Sequence, residues 1–162
     1  MYLAGKQGPL IVLFHGGGHT SLSWALVASK LKTKCRILSF DYRGHGELST
    51  FGWFLLPCTG CTKLPNEDNL SLETLTNDAV QLVNTLYPAD GDEQPVKILV
   101  GHSLGGAVAT QVASSGALSK VEGLVVLDVV EGTAMASLRT MHMYLEKLPS
   151  SFPSLENAIQ WR

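Results

Sequence analysis

A serine flanked by glycines is the residue best suited to covalent chemistry in this sequence. The segment Gly101-His102-Ser103-Leu104-Gly105 has the pattern G-x-S-x-G, whose glycines allow a sharp turn between a strand and a helix. Such a turn holds the serine hydroxyl clear of the sheet, where it can attack a carbonyl carbon. An apolar segment precedes the pattern and a segment rich in small residues follows it, as the turn requires. Ser103 is therefore predicted to be a nucleophile, with an ordinary serine turn as the alternative.

A second glycine-rich segment could stabilise the negative charge that this attack creates. His15-Gly16-Gly17-Gly18 is an H-G-G-G loop, a type whose backbone N–H groups bind the oxyanion of a tetrahedral intermediate. The residue after the nucleophile, Leu104, supplies another N–H group. We predict that Gly17, Gly18 and Leu104 form an oxyanion hole, and that His15 and Gly16 contact the substrate. A flexible glycine turn is the alternative.

A serine hydroxyl needs a base at neutral pH, and that base needs an orienting carboxylate. Asp128 ends an apolar segment that follows Ser103, so it is the predicted acid; Glu131 or a helix N-cap role for Asp128 are the alternatives. Of the five histidines only His142 follows Asp128, in a Met-rich segment whose spacing fits a packed helix or a lid. The ring of His102, inside the turn, is expected to point away from the serine. No histidine therefore occupies a convincing general-base position.

Alternating strands and helices are predicted to position these residues. Four short apolar segments are typical of buried strands: Leu10–Phe14, Cys35–Phe40, Lys97–Val100 and Val121–Leu127. Three segments with helical spacing separate them: Ser21–Leu31, Ser71–Leu86 and Leu104–Ala117. This alternation predicts a parallel sheet with helices on both faces. Ligands bind beyond the carboxyl ends of strands in such sheets, so the turns after the four strands are predicted to form one site.

Composition limits the classes of partner. The 162 residues favour a single domain, and their formal charge of −2 provides no basic field for nucleic acid or a membrane surface. No uncharged apolar run approaches the ~20 residues of a membrane span, and the N-terminus lacks the pattern of a signal peptide. Three cysteines do not form a disulfide framework, which favours a cytoplasmic or nuclear location. Cys58 and Cys61 have C-x-x-C spacing without the further ligands that zinc needs, so neither metal nor cofactor is expected.

Six segments of the sequence resemble the protein phosphatase methylesterases, which are carboxylesterases of the α/β-hydrolase superfamily. The first four are shared loosely with many α/β hydrolases, and the last two are more specific to the methylesterases. In chain order the six are Leu13–His19, Ser23–Ala25, Asp41–Glu47, Gly101–Ala107, Asp128–Met135 and Ser154–Trp161. The resemblance covers nearly the whole chain except Leu48–Cys61, an atypical apolar insertion that is expected to be poorly ordered.

The resemblance implies both a fold and an activity. The activity is hydrolysis of the methyl ester on the C-terminal leucine of the protein phosphatase 2A catalytic subunit, which would be the partner. Ser103 matches the nucleophile of the family and Asp128 matches its acid. The alternatives are another esterase or lipase of this superfamily, and a non-catalytic form that only binds the phosphatase.

The family's catalytic histidine lies beyond the position that matches Arg162. Residues 1–162 are therefore expected to form a single, incomplete α/β-hydrolase domain with little esterase activity of its own. The resemblance also places the second predicted strand at one edge of the sheet and the fourth at the other. Both edge strands are expected to lack their neighbours and to invite association.

Overall fold

The computed structural model describes residues 1–43, 45, 69–91, 94–129, 143, 149 and 151–161. The chain separates into two compact units, Met1–Val129 and Val130–Arg162. The insertion predicted at Leu48–Cys61, the Cys58 and Cys61 pair, Glu131 and His142 lie outside the described residues.

The first unit is built on a five-stranded sheet. Its strands are β1 (Tyr2–Ala4), β2 (Leu10–Phe14), β3 (Arg36–Ser39), β4 (Lys97–His102) and β5 (Val121–Leu127). A 3₁₀ helix at Ser21–Trp24 leads directly into α1 (Ala25–Leu31), and the other helices are α2 (Leu72–Leu86) and α3 (Leu104–Ser115). All four predicted strands and all three predicted helices are therefore present. None of the described helices is long and apolar enough to cross a membrane.

The strands lie in the order β1-β3-β2-β4-β5. The central strand β2 runs parallel to both neighbours, with Val12 opposite Leu38 on β3 and Leu99 on β4. The parallel arrangement predicted for the last four strands is thus confirmed, and so is the position of β3 and β5 on either side of the central pair.

The first strand corrects two predictions. β1 pairs antiparallel with β3, placing Leu3 opposite Leu38, so the sheet is mixed and not purely parallel. The expectation that the edge of β3 lacks a neighbour is wrong, because β1 occupies it. The turn between β1 and β2 makes this possible, since Gly5 and Gly8 both adopt positive φ values that other residues rarely adopt. Within the described part of the chain, β5 is paired on one side only.

Side chains of the sheet alternate between two cores, as the period of a strand requires. Leu10, Val12 and Phe14 of β2 pack in the core that α2 and α3 cover. Ile11 and Leu13 face the opposite way, into the core that contains Trp24 and Ala28. Both faces of the sheet are therefore covered by helices, as predicted.

Helix α2 shows how local sequence and packing agree. Ser71 is its N-cap, and the Ser71 hydroxyl accepts a hydrogen bond from the Thr74 N–H at 3.3 Å. Leu75, Ala79 and Val83 follow at intervals of four residues and are fully buried against the sheet. Burial of each large aliphatic side chain contributes about 1.5–3 kcal/mol, which fixes α2 on this face.

The described part of the second unit contains a short helix, α4 (Leu155–Trp161). Ser154 precedes it, and its hydroxyl accepts a hydrogen bond from the Asn157 N–H at 3.2 Å. This is the bond of an N-cap residue, which explains why the helix begins here. The rings of Phe152 and Trp161 lie 5.6 Å apart between centroids.

Candidate active site

Ser103 occupies the sharp turn between β4 and α3. Its φ of +53° and ψ of −122° are unusual for any residue with a side chain, and the residue is exposed. A Cβ atom at Gly101 would overlap the carbonyl oxygen of Gly105, and a Cβ atom at Gly105 would overlap that of Phe14. Glycine is therefore required at both positions for the turn to close. The Ser103 N–H donates a hydrogen bond to the Leu127 carbonyl oxygen at 2.9 Å, which ties the turn to the end of β5.

The glycine loop after β2 lies beside this serine. A Cβ atom at Gly16 would lie 3.4 Å from Ser103 Cβ, and one at Gly17 would lie 3.8 Å from Leu104 Cδ2. Leu104 is the first residue of α3, so its N–H has no acceptor within the helix. Gly18 adopts a φ of +71° with open space around it. These positions suit an oxyanion hole, and the roles of Gly17, Gly18 and Leu104 in one stay predictions.

His15 is a buried residue that holds the backbone of the glycine loop in place. The residue is 1% exposed, and its Nε2 accepts a hydrogen bond from the Tyr42 N–H at 3.2 Å. Nδ1 therefore carries the proton and donates it to the Gly16 carbonyl oxygen at 2.8 Å. Burial of the ring lowers the pKa of His15 below its ordinary value of 6.5, which keeps it neutral. Both ring nitrogens are thus engaged in positioning the backbone, and the substrate contact of His15 and Gly16 stays a prediction.

Asp128 follows β5 at the same end of the sheet as Ser103. It also has a φ of +53°, and 79% of its side chain is exposed. Its Oδ2 atom lies 3.9 Å from Nε2 of His102, the residue before the candidate nucleophile. Sequence reasoning did not pair these two residues. The parallel pairing of β4 with β5 would have predicted their proximity, because it sets His102 opposite Leu127, the neighbour of Asp128.

A groove of about 230 Å³ lies beside the turn that carries Ser103. The described residues that line it include three histidines and no Asp, Glu, Lys or Arg. The lining residues are His15, Gly16, His19, Ser23, Trp24, His102 and Leu127. The rings of His19 and His102 meet edge to face with centroids 5.8 Å apart, and His19 Nδ1 lies 3.2 Å from Ser23 Oγ. This lining favours uncharged groups, because a buried charge would have no carboxylate or ammonium partner there.

The 3₁₀ helix that supplies Ser23 and Trp24 is anchored to the end of β3. The Ser21 N–H donates to Asp41 Oδ1 at 2.6 Å, and the Ser39 hydroxyl donates to the Ser21 carbonyl oxygen at 3.2 Å. One wall of the groove is therefore held by bonds to the sheet.

The loop after β3 is held in turn by an ion pair with α2. Arg43 donates through Nε and Nη2 to the two carboxylate oxygens of Asp78, both at 2.6 Å, and both side chains are largely buried. His45 in the same loop places Nδ1 3.2 Å from the Arg43 carbonyl oxygen. This bidentate pair joins residues 35 positions apart, and the sequence contained no local signal for it.

No imidazole among the described residues hydrogen-bonds to Ser103. His15 is engaged by the backbone and His45 lies at the Arg43 carbonyl oxygen. His19 lies beside Ser23 and His102, and His102 faces Asp128. Over the same described ranges, no cluster of three or more His, Cys, Asp or Glu side chains could hold a metal ion. The arrangement of Ser103, the glycine loop and Asp128 therefore suits acyl transfer through a serine, and its proton acceptor is not among these rings.

Comparisons with known proteins agree with this geometry. The model of the alpha/beta hydrolase family matches residues 11–162. The chain is 42% identical over 163 residues to Protein phosphatase methylesterase 1 of Bos taurus and, equally, of Homo sapiens. These matches cover 99% of this chain and 38% of each relative. A methylesterase of the same name from Aspergillus oryzae is 46% identical over 161 residues, covering 96% of this chain and 36% of the relative.

Solved structures show the same fold. A marine microorganism esterase aligns with a TM-score of 0.66 at 19% identity, covering 93% of this chain and 51% of its own. A structure titled as a putative epoxide hydrolase from Pseudomonas aeruginosa aligns with a TM-score of 0.60 at 25% identity, covering 93% and 46%. The chain thus spans well under two thirds of the length of the relatives and structures that it matches.

Proposed function

The chain belongs to the alpha/beta hydrolase family, and we propose that its site hydrolyses a carboxylic ester through Ser103. The proposed substrate is the methyl ester on the C-terminal leucine of the protein phosphatase 2A catalytic subunit. Similarity to protein phosphatase methylesterases over 99% of this chain supports that choice. The observation that carries the chemistry is the strained turn of Ser103, which lies beside the glycine loop and is hydrogen-bonded to Leu127, the last residue of the strand that Asp128 follows.

The proposed reaction has two steps. Ser103 Oγ attacks the ester carbonyl carbon while its proton passes to a base, and methanol leaves with a proton as the acyl-enzyme forms. Water then attacks the same carbon, which releases the carboxylic acid and restores the serine hydroxyl. The N–H groups of Leu104 and of Gly17 or Gly18 would stabilise the oxyanion in both steps. Loss of one such donor typically lowers kcat by about 10²–10³.

Asp128 is assigned the role of orienting the base. Its exposed carboxylate at the end of β5 can accept a hydrogen bond from an imidazole that enters from solvent or from elsewhere in a longer protein. The proton acceptor itself is a group that the described residues do not contain. We therefore propose that Ser103, Asp128 and that acceptor together form a catalytic triad.

A cytoplasmic or nuclear location belongs to the same proposal, since the substrate would be an intracellular protein.

A reactive probe and a methylated peptide together test this proposal. We expect a fluorophosphonate to form one slow adduct with the chain, located at Ser103 by mass spectrometry and absent from Ser103→Ala. A methylated C-terminal phosphatase peptide should lose its methyl group only slowly, because the described residues hold no proton acceptor for Ser103. The loss should still depend on Ser103 and should be faster than the hydrolysis of short-chain p-nitrophenyl esters.

Each alternative gives a different result in the same assays. Faster turnover of the p-nitrophenyl esters than of the methylated peptide would indicate a general esterase or lipase. Binding of the phosphatase without any adduct at Ser103 would indicate a non-catalytic binding protein. Either result would contradict the proposed activity.

A further inference from the structure

Two leucines on the outer side of the first helical segment are almost fully exposed. Leu22 of the 3₁₀ helix exposes 73% of its surface and Leu26 of α1 exposes 80%. They lie four positions apart, one in the 3₁₀ helix and one in the α-helix that continues it. Tyr2 of β1 adds exposed apolar surface at 40%. Clusters of exposed apolar side chains on soluble domains mark sites of interaction.

A small apolar cavity of about 70 Å³ opens between these elements. Its lining includes Tyr2, Leu22, Ala25 and Ala28, and none of the described residues that line it is charged. A concave apolar site of this size suits one aliphatic side chain from a partner. Trp24 lines both this cavity and the groove beside Ser103, so a molecule bound here would lie next to the candidate active site.

Four exposed lysines lie at the C-terminal end of α1 or in the turn that packs against it. Lys30 follows Leu26 by four residues, and Lys32 and Lys34 lie in the turn after α1. The turn that contains Lys6 packs against them, since a Cβ atom at Gly5 would lie 2.8 Å from the Lys32 carbonyl oxygen. Residues 1–43 contain six Lys and Arg residues against Asp41 alone, although the whole chain carries a formal charge of −2.

We propose that this α1 surface, formed by Tyr2, Leu22, Leu26 and Lys30, binds an acidic segment of a partner protein that presents aliphatic side chains. Opposite charges steer such a segment to the lysines, while its aliphatic side chain fills the cavity. A second copy of the chain would bring the same lysines together and is disfavoured by like-charge repulsion. An anionic membrane would satisfy the lysines but would leave the concave cavity without a specific occupant. The inference does not depend on the chemistry of Ser103.

A synthetic peptide tests this surface directly. The probe is a fluorescent amphipathic helix with leucines four residues apart on one face and glutamates on the other, and the measurement is its Kd for the 162-residue chain by fluorescence anisotropy. We expect the double variant Leu22→Ser, Leu26→Ser to weaken binding at least about tenfold, because both anchors are lost. The double variant Lys30→Glu, Lys32→Glu should weaken it similarly, and affinity should fall as salt increases.

Leu155→Ser is the matched control, because Leu155 is a leucine with 73% exposure in the other compact unit. It should leave the Kd unchanged, and all variants should keep the urea midpoint of the parent because every changed side chain is exposed. Equal binding by all variants would overturn the proposal. So would binding to phosphatidylserine vesicles in place of the peptide, or a concentration-dependent dimer in sedimentation that the leucine variants abolish.

Discussion

Ser103 and Asp128 both have a positive φ, which residues with side chains rarely adopt. Both have a φ of +53°, and both follow the carboxyl ends of neighbouring strands. A non-glycine residue in such a region costs on the order of 1–3 kcal/mol, and surrounding contacts must offset it. Here the Ser103 N–H bond to Leu127 joins the two turns, so the strained residues are held by the same pair of strands. The conformation places both side chains at the edge where a ligand would bind.

We expect Ser103→Gly to be more stable than Ser103→Ala by about 1 kcal/mol. Both variants remove the hydroxyl, so the difference in their unfolding free energies reports the backbone strain at a φ of +53°. The larger entropy of glycine in the unfolded chain makes this difference smaller than the strain itself. Urea unfolding of the two variants measures it. If Ser103→Ala is equally stable, the turn does not store strain in the serine backbone.

His15 makes stability depend on pH. Its pKa is lowered in the folded chain mainly by burial and, to a smaller extent, by the neighbouring His45, while the hydrogen bond to the Gly16 carbonyl oxygen and the Asp41 carboxylate act in the opposite direction. The unfolded chain therefore binds more protons below the ordinary pKa of 6.5. The contribution of neutral His15 to stability is complete above that pH and is lost as the pH falls toward the lowered value.

His15→Gln tests this dependence. We expect the parent chain to lose unfolding free energy between pH 7 and pH 5, and the variant to lose less over the same interval. The variant should also be less stable at pH 7, because a glutamine does not reproduce both bonds, to the Gly16 carbonyl oxygen and from the Tyr42 N–H. His45→Gln serves as the control for the neighbouring ring. Identical pH profiles for parent and His15→Gln would exclude His15 as the source.

The contact between α3 and β2 is set by a glycine. A methyl group at Gly105 would overlap the carbonyl oxygens of Phe14, the last residue of β2, and of His15, which follows it, and neither backbone group can easily move aside. We expect Gly105→Ala to destabilise the chain by at least about 2 kcal/mol in urea unfolding. Gly17→Ala is the matched control, since its added Cβ would meet only Leu104 Cδ2 at 3.8 Å. A difference of less than half that size between the two variants would mean that the helix can shift away from the sheet.

The elements with strong local patterns were predictable, and those made by distant contacts were not. Strands β2 to β5 are apolar runs between turns, and the stripe of α2 has a clear helical period, so sequence alone located them. β1 has three residues and no period, and it forms because the glycine turn returns the chain to β3. The Arg43 and Asp78 pair likewise depends on how α2 packs. The position of Ser103 needed only its own five-residue pattern, whereas the proximity of His102 to Asp128 needed the pairing of two strands.

The charged residues are distributed unevenly along the chain, which the net charge does not show. A formal charge of −2 led to the expectation of no basic field for nucleic acid or a membrane surface. Residues 1–43 nevertheless hold six of the twelve basic residues and one of the fourteen acidic residues. An average over the chain cannot reveal this, because the acidic residues are concentrated in the remainder. Net charge therefore bears on properties of the whole protein such as solubility, whereas recognition of a partner depends on the electrostatic potential of the surface that binds it.

At the scale of the whole chain, catalysis lacks a proton acceptor among the described residues, and added imidazole should supply one. The Asp128 carboxylate is exposed and the groove of about 230 Å³ beside Ser103 is open, so a free imidazole can bind between them. We expect it to increase Ser103-dependent hydrolysis of p-nitrophenyl acetate by at least about tenfold, since a positioned general base contributes about 10²–10⁴. The increase should saturate with imidazole concentration and should be smaller in Asp128→Asn. A linear increase of equal slope in the parent, Asp128→Asn and Ser103→Ala would be catalysis by imidazole in solution, and would show that the groove does not bind the base.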